Sequence, residues 1–495
     1  MQPFDFSKPS RQSNTAILII IFNLYKNWIK RLLPIFAGVI FGSSKTWVLL
    51  LTLGLFVVII AIFGIVYFYK YSFHITDNEL VINKGVFKRT KLNIPFQRIQ
   101  SINFKQSILH QLLSVVELDV DTAGSSKTEF ELRAISNKKA NALRDIILTS
   151  QDKQPSSESI TPETPSTSHQ RKIFQLSFWE LIKVGLTQNH LKSGLIPFAL
   201  YFWVRDLLHN GGIDLDDLAT EYTDPERIYS LGLFIIGILL ILYAIIALMI
   251  SLVMSIIRFF DLTLYRQEDG FKVTYGLLTK RQITIKDSKI QVFKWQDNLL
   301  RKIPGIYNMQ IKQAASVAVK RKTSSIHLAG ISLHQVHLFL DTYFKDVSYK
   351  IEHYITISSW WLYRRIAIIS SLLIMTIGVA LYYPFHPIFV VLGGAWLYLY
   401  VISFLYFRKK SIGLNDAIIH IKGGHFGDEN ELIQMYKIQG IQLKQSPFQR
   451  RKGLASIVLF TATGNLFVPY IPAEKAINLR DLVLQIIETD QRAWM

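Results

Sequence analysis

The sequence predicts an α+β membrane protein in which three copies of a small, mostly β domain alternate with three transmembrane helical hairpins. Each copy is expected to be a half-open barrel or bent sheet closed by a C-terminal helix. Three observations predict this class: a composition too apolar for a soluble chain of this length, apolar runs that occur in neighbouring pairs, and an internal repeat that aligns without gaps.

Half of the 495 residues are hydrophobic and the mean hydropathy is positive, which directs attention first to membrane segments. A helix needs roughly 20 largely apolar residues to cross a bilayer core. The clearest runs are Trp47 to Tyr69, Leu231 to Ile257 and Ile366 to Tyr383. Beside each stands a weaker one: Trp28 to Gly42, Ser193 to Leu208 and Pro387 to Phe407. Pairing them gives three hairpins, an even number of crossings and both chain ends on one side. Met1 to Asn14 is polar, and Ala16 to Tyr25 runs into Lys26 without a small-residue cleavage site, so an interfacial amphipathic stretch is expected there in place of a signal peptide. The resulting division is an N-terminal segment 1–27, hairpin 28–70, domain 71–150, linker 151–171, hairpin 172–258, domain 259–350, hairpin 351–408 and domain 409–490.

Lysine and arginine favour the cytoplasmic ends of membrane helices. Lys26, Lys30, Arg31 and Lys70 flank the first hairpin, Arg258 leaves the second, and Arg364, Arg365, Arg408, Lys409 and Lys410 bracket the third. The turn 205–227 instead carries Asp206, Asp214, Asp216, Asp217, Glu221, Asp224 and Glu226. That asymmetry predicts an external acidic loop, with both termini and all three domains in the cytoplasm. A formal charge of +19 with basic residues beside apolar helices suits an anionic inner leaflet, and no nucleic-acid motif accompanies it. The chain has no cysteine, which excludes disulfides, cysteine nucleophiles and thiolate metal sites.

The repeat emerges from three tripeptides, Arg98-Ile99-Gln100, Lys289-Ile290-Gln291 and Lys437-Ile438-Gln439. Thirteen positions before each basic residue stands Gly85, Gly276 or Gly424; four before stands Ile94, Ile285 or Ile433; twenty-five after stands Ala123, Ala314 or Ala462. Eight after come Gln106, Asp297 and Gln445, and sixteen after come Ser114, Gly305 and Gly453. The middle copy departs most, with Trp295 and a longer insertion from Ser316 to Ser325. If the copies share a ligand site, the middle one is expected to have lost it.

Within a copy, Leu80, Ile82 and Val86 around Asn83 to Gly85 alternate as strand, turn and strand, the glycine supplying the positive φ of a tight turn. An amphipathic helix follows the strands: Ser136 caps Ala142, Leu143, Ile146 and Ile147 in the first copy, Leu333, Val336 and Leu340 mark the second, and Ile477, Leu479, Leu482 and Ile486 the third. Gln151 to His169, rich in Ser, Thr, Pro and Glu, reads as a flexible linker.

With these motifs in place, the chain resembles the bacterial membrane-flanked pleckstrin-homology-like (PH-like) domain family. The resemblance lies in Phe73-His74-Ile75-Thr76 to Gly85, Ile94-Pro95-Phe96-Gln97-Arg98-Ile99-Gln100-Ser101-Ile102, Gln106 and Thr122-Ala123-Gly124 followed by a helix. It spans nearly the whole chain and is most specific in the first repeat. It implies three PH-like domains in the bacterial inner membrane, with no enzymatic activity, a smaller single-domain membrane companion as partner, and, from some relatives, protection against membrane-active peptides.

Arg98, Lys289 and Lys437 have two readings: charge-assisted contact with a lipid phosphate or acidic peptide, or a stem packed on the barrel with the ammonium or guanidinium paired inside the domain. Gln100, Gln291 and Gln439 face the same choice, since buried amides commonly satisfy backbone groups; Gln106 and Gln445 complete the candidate ligand- or partner-binding set. The histidines, His74, His110, His190, His209 and His353 among them, are scattered and match no metalloprotease, Walker or nucleophile-elbow spacing. Asp214, Asp216 and Asp217 lack the glycine and glutamate of a calcium loop, so neither metal nor cofactor is expected. The strong apolar runs carry no charged residue at mid-membrane, which disfavours a transport pathway. The expectation is a non-enzymatic scaffold presenting three PH-like domains to a partner protein or the anionic leaflet, with homo-oligomerisation open and a transporter or export accessory as the alternative.

Overall fold

The computed structural model describes residues 4–28, 46–76, 78–122, 130–152, 171–188, 225–313, 325–345, 347–382, 388–490 and 492, with scattered positions from 197 to 209. Most of the linker 151–171, of the segments 28–42 and 193–208 and of the acidic turn 205–227 lies outside the described residues, as do Ala123, Gly124 and Ala314.

Short strands dominate because β-branched and aromatic residues alternate with polar ones between tight turns. The first repeat holds β1 (Ser72–Thr76), β2 (Glu79–Lys84), β3 (Thr90–Pro95), β4 (Ile99–Gln106), β5 (Val115–Thr122) and β6 (Phe130–Ser136); β7 (Arg171–Gln175) follows. The second holds β8 (Thr263–Gln267), β9 (Gly270–Tyr275), β10 (Lys280–Lys286), β11 (Ile290–Gln296), β12 (Ile306–Gln313) and β13 (Ser325–Ser332); β14 (Tyr354–Thr356) follows. The third holds β15 (Ser411–Leu414), β16 (Ile418–Gly423), β17 (Glu429–Gln434), β18 (Ile438–Lys444), β19 (Leu454–Thr461) and β20 (Gly464–Pro472).

The repeats are not separate sheets. The four sheets have the orders β1-β2-β3, β6-β5-β4-β10-β9-β8-β7, β13-β12-β11-β17-β16-β15-β14 and β18-β19-β20. The last three strands of each repeat thus join edge to edge with the first three of the next. The chain divides into two compact units, Met1–Lys172 with Leu264–Lys289 and Ala315–Lys322, and Ile173–Thr263 with Ile290–Ala314 and Thr323–Met495. The division passes through the middle repeat, between Lys289 and Ile290.

In the first unit Phe73, Leu80, Ile82 and Ile94 of one sheet meet Ile102, Phe104, Leu118, Val120 and Leu132 of the next, and helix residues Ala140, Leu143 and Ile147 close the space. The third repeat repeats the plan, with Ile419, Ile421 and Ile433 against Ile457, Leu459 and Val468, closed by Ala476, Leu479 and Val483. This α+β arrangement of sheets closed by a C-terminal helix is the predicted fold.

The longer helices among the described residues are α1 (Ala16–Trp28), α2 (Thr46–Lys70), α3 (Asn137–Asp152), α4 (Phe178–Leu186), α5 (Pro225–Phe259), α6 (Leu333–Tyr343), α7 (Ser359–Tyr382), α8 (Ile388–Lys409) and α9 (Ala473–Thr489). Ser136 caps α3 as expected, its Oγ accepting from the Lys139 amide at 3.4 Å. Among the described residues two stretches are long and apolar enough to cross a membrane, Leu240–Phe259 and Ser359–Val379, while Ala16–Trp28 and Gly54–Lys70 are shorter apolar helices. Three complete hairpins are therefore more than the described helices provide. The third pair is built: α7 and α8 meet through Ser370 Oγ and Tyr400 OH at 2.7 Å and through Trp361 and Tyr406, whose rings lie 4.8 Å apart. Ala16, Ile19 and Ile20 of α1 pack on Phe68, Val115 and Ala134, whereas Leu18 and Phe22 stay exposed. The N-terminal apolar stretch is thus seated on the first repeat by one face.

Each helical excursion starts and ends at one strand pair. Ser10 exchanges backbone hydrogen bonds with Phe73 at 2.8 and 2.9 Å, the Leu176 amide just after β7 donates to the Leu262 carbonyl at 2.9 Å, and Tyr354, Ile355 and Thr356 of β14 face Gly413, Ile412 and Ser411 of β15.

Candidate functional site

The repeated tripeptide forms a corner. In every copy its basic residue ends a one-turn 3-10 helix, Phe96–Arg98, Asp287–Lys289 or Met435–Lys437. The isoleucine that follows is buried, with exposures of 6%, 1% and 2% for Ile99, Ile290 and Ile438. The glutamine is the extra residue of a β-bulge, since strand register shifts between Ile99 and Ser101, Ile290 and Val292, and Ile438 and Gly440. A turn followed by a bulge bends the chain from one sheet into the next. The other shared columns also serve the backbone. Gly85, Gly276 and Gly424 have φ of 112°, 108° and 107°, and a Cβ there would lie 1.9, 2.1 and 2.4 Å from the carbonyl oxygen three residues on. Ser114, Gly305 and Gly453 share φ of 52°, 67° and 62°, so the serine of the first copy stands in a left-handed position.

The candidate residues follow different fates. Lys437 is buried, and its Nζ donates to the Ile290 carbonyl at 2.5 Å and to Tyr343 OH at 3.3 Å. It tethers the third repeat to the second. Gln291 is also buried. Gln106 Nε2 donates to the Val115 carbonyl at 3.0 Å and Gln445 Nε2 to the equivalent Leu454 carbonyl at 2.9 Å, each bracing its own hairpin. Arg98 and Gln439 are exposed and Lys289 is half-buried, while the Gln100 side chain lies outside the described residues. Burial, followed by the neighbouring Lys286, lowers the pKa of Lys289.

A cleft at the junction of the second and third repeats, about 570 Å³ in volume, was not foreseen. Trp295 and Tyr307 of the second repeat, Tyr349 and Tyr354 of the following segment, and His420, Lys422, Glu429 and Asn430 of the third line it. Tyr354 OH and His420 Nδ1 are 2.9 Å apart, and His420 Nε2 and Asn430 Oδ1 3.1 Å. An amide oxygen only accepts, so Nε2 carries the proton and Nδ1 accepts from the tyrosine, leaving a neutral ring. Burial, and then the nearby Lys422, push the His420 pKa down to about 4. The Trp295 ring lies 5.4 Å from His420, and Lys422 Nζ stands 3.7 Å above the Tyr354 ring.

An ion lattice that shares Lys409, Asp428 and Glu429 with the cleft lining joins the two repeats. Lys294 bonds Glu429 and, at 3.3 Å, Glu431, which Lys312 also reaches at 3.3 Å. Asp428 holds Lys302 at 2.7 Å and Lys409 at 2.8 Å. Burial alone would raise the Glu431 carboxyl; Lys294 and Lys312 outweigh it and hold the pKa below the usual range. Asp428 behaves likewise through Lys302 and Lys409. Among the described residues no group of three or more metal-ligating side chains is present. The cleft sets an aromatic wall of Trp295, Tyr307, Tyr349 and Tyr354 beside the Lys350, Lys409 and Lys422 ammoniums and the Asp428 and Glu429 carboxylates.

The signal for this cleft was present as divergence. Trp295 and Asp297 of the second copy, and Glu429 and Glu431 of the third, are where the copies differ from the columns Phe104, Gln106, Thr90 and Leu92 of the first. The departures of the middle copy at Trp295 and Asp297 fall where its β11 and the turn after it meet the third copy.

Comparison with known proteins agrees with the repeat. The sequence model of the family described as "Bacterial PH domain" matches residues 27–151, 227–347 and 367–486. The UPF0699 transmembrane protein YdbT of Bacillus subtilis (strain 168) is 22% identical over 475 residues, covering 91% of this chain and 92% of that relative. The UPF0699 transmembrane protein YdbS of the same organism is 27% identical over 135 residues, covering 26% of this chain and 85% of that relative.

Proposed function

Because the chain belongs to the bacterial PH-domain family and is similar to a transmembrane protein over most of its length, we propose that it is a non-enzymatic scaffold of the bacterial inner membrane. In this reading it holds three PH-like domains at the cytoplasmic leaflet, where they bind anionic lipid or a partner protein.

The strand clamp at the foot of each helical excursion carries the proposal. A chain that leaves a sheet at Ser10, β7 or β14 and returns beside the same strand must cross the bilayer an even number of times if it crosses at all. Each domain is then kept on the side it started from, the basic flanks at Lys26, Lys70, Arg258 and Lys410 favour the cytoplasm, and tethering turns weak individual contacts into multivalent ones. The cleft around Trp295, Tyr354 and Lys422 supplies a seat for an anionic group. The family resemblance extends the reading to defence of the envelope against membrane-active peptides.

The test is purification of the intact protein in mild detergent, with mass spectrometry of co-purifying lipid and protein. The scaffold reading expects one anionic lipid class or one protein at reproducible stoichiometry, lost at least several-fold in Lys422→Glu without a change in unfolding temperature. Recovery of bulk lipid alone, unchanged in the variant, would contradict it and move solute-flux assays to the front.

A further inference from the structure

Among the described residues β3 and β18 each end a sheet, and each is the counterpart of a strand that is paired with a neighbouring repeat elsewhere in the same chain. The two internal junctions use the same columns of the repeat in the same register. At the first, Lys105 faces Arg281 and Phe104 faces Gln282. At the second, Gln296 faces Glu429, Trp295 faces Asn430 and Val292 faces Ile433. Lys105 and Gln296 both stand seven positions after the basic residue of their repeat, and Arg281 and Glu429 both stand eight before theirs. Both junctions set an aromatic ring opposite a side-chain amide, Phe104 with Gln282 and Trp295 with Asn430, while the charged pair Lys105 and Arg281 gives way to Gln296 and Glu429, so the register is kept across a change of charge.

By the same columns the first repeat presents β3 and the third presents β18. Among the described residues neither has a strand on that side: β3 ends the sheet β1-β2-β3, and β18 ends the sheet β18-β19-β20. The exposures record the difference. Four positions after the basic residue, Ile102 and Phe293 are 5% and 2% exposed; six after, Phe104 and Trp295 are 9% and 5% exposed. The corresponding Ile441 and Leu443 of β18 are both partly exposed. The third repeat thus keeps the apolar column without the neighbour that covers it.

We propose that β18 of one molecule pairs with β3 of a second copy of this chain, head to tail. The register would place Gly440, Ile441, Gln442, Leu443 and Lys444 opposite Ile94, Asn93, Leu92, Lys91 and Thr90. A second copy supplies both missing strands with a single interface that continues the two internal ones. Open edges are templates for strand addition, in which the backbone supplies the hydrogen bonds and the facing side chains the selectivity. In this register Lys444 faces Thr90 and Lys91 faces Leu443, so no like charges are opposed. Pro95, which lacks an N–H, falls outside the paired columns. Because the two edges differ, the contact is heterologous and propagates to a closed ring or an open row.

The absence of native cysteine makes the register directly testable. Two full-length chains with different tags, one carrying Asn93→Cys and the other Ile441→Cys, are co-expressed and oxidised in native membranes. Facing residues of antiparallel strands lie about 4.5–5.5 Å apart at Cα, within disulfide reach. The expected result is a mixed-tag, disulfide-linked dimer, at least five-fold more abundant than from Asn93→Cys with Gln442→Cys, whose side chains leave opposite faces of the sheet. Lys91→Cys with Leu443→Cys repeats the test if either first variant unfolds early. No mixed dimer from either pair, or equal yields in and out of register, overturns the proposal; so does exclusive cross-linking to a single-repeat chain.

Discussion

The two internal junctions have the same backbone and opposite chemistry. At the first, Lys105 directly faces Arg281, and the repulsion is relieved from within the first repeat by Glu117, 2.6 Å from Lys105. Gln111 adds an amide contact to the Leu278 carbonyl at 3.2 Å. At the second, opposite charges cross the seam in the Lys294, Glu429, Glu431 and Lys312 lattice, and Lys437 carries an ammonium across to the Ile290 carbonyl. Strand pairing sets register through the backbone, while the side chains decide how tightly a seam is held and whether it leaves space for a ligand. Among the described residues the second seam combines aromatic residues, a neutral histidine and a cleft.

That difference is open to perturbation. The largest effect is expected at Lys437, where Lys437→Ala removes the donor to the Ile290 carbonyl and leaves a cavity. A loss of roughly 3 kcal/mol of stability is expected, read as a fall in unfolding midpoint in detergent. Lys289→Ala, at the same column but half-buried, should cost less than about 1 kcal/mol. Equal effects would erase the distinction between the two seams.

Acid should act nearly as strongly, and again on the second seam. His420 is held neutral down to about pH 4, whereas an ordinary histidine takes up a proton near 6.5. Between these values the unfolded chain binds a proton that the folded chain refuses. Stability is therefore full above pH 6.5, falls as pH drops toward 4, and levels off below, by an amount of roughly 3 kcal/mol. His420→Asn should flatten the pH dependence of the unfolding midpoint across that window; an unchanged slope would place the titration elsewhere.

Smaller changes sharpen the comparison. Glu431→Gln leaves Lys294 and Lys312 without their shared carboxylate and should cost about 1–2 kcal/mol, with a Tm shift that survives added salt because the pair is half-buried. Glu117→Gln at the first seam, beside a partly exposed lysine, should cost at most about 0.5 kcal/mol and vanish in high salt.

Much of this was legible in the residues. The repeat, its glycine turns and the closing helices follow from columns that the backbone itself requires: a positive φ at Gly85, Gly276 and Gly424, and an isoleucine 1% exposed at Ile94, Ile285 and Ile433. The same constancy does not mark a ligand site. Lys437 and Gln291 recur because a corner needs a turn and a bulge, and both are buried in it. Divergence marks residues of the junction, but the cleft does not follow from it, because the cleft joins Trp295 to His420, residues of different repeats brought together by a strand pairing that no local pattern encodes. The exchange of half-sheets between repeats was hidden for the same reason, since alternation along a strand reports its buried face and not its edge neighbour.

The proposed arrangement, with all three domains on one side of the membrane and each helical excursion clamped at its foot by a strand pair, is tested most directly by cysteine accessibility in this cysteine-free chain. Single variants Arg89→Cys, Lys280→Cys and Arg451→Cys place one thiol on each repeat, and Asp216→Cys places one in the acidic turn. A membrane-impermeant maleimide should label Asp216→Cys alone in intact cells and the three repeat positions alone in inside-out vesicles. Labelling of any repeat position from the outside, or a split of the three between the two sides, would contradict the account.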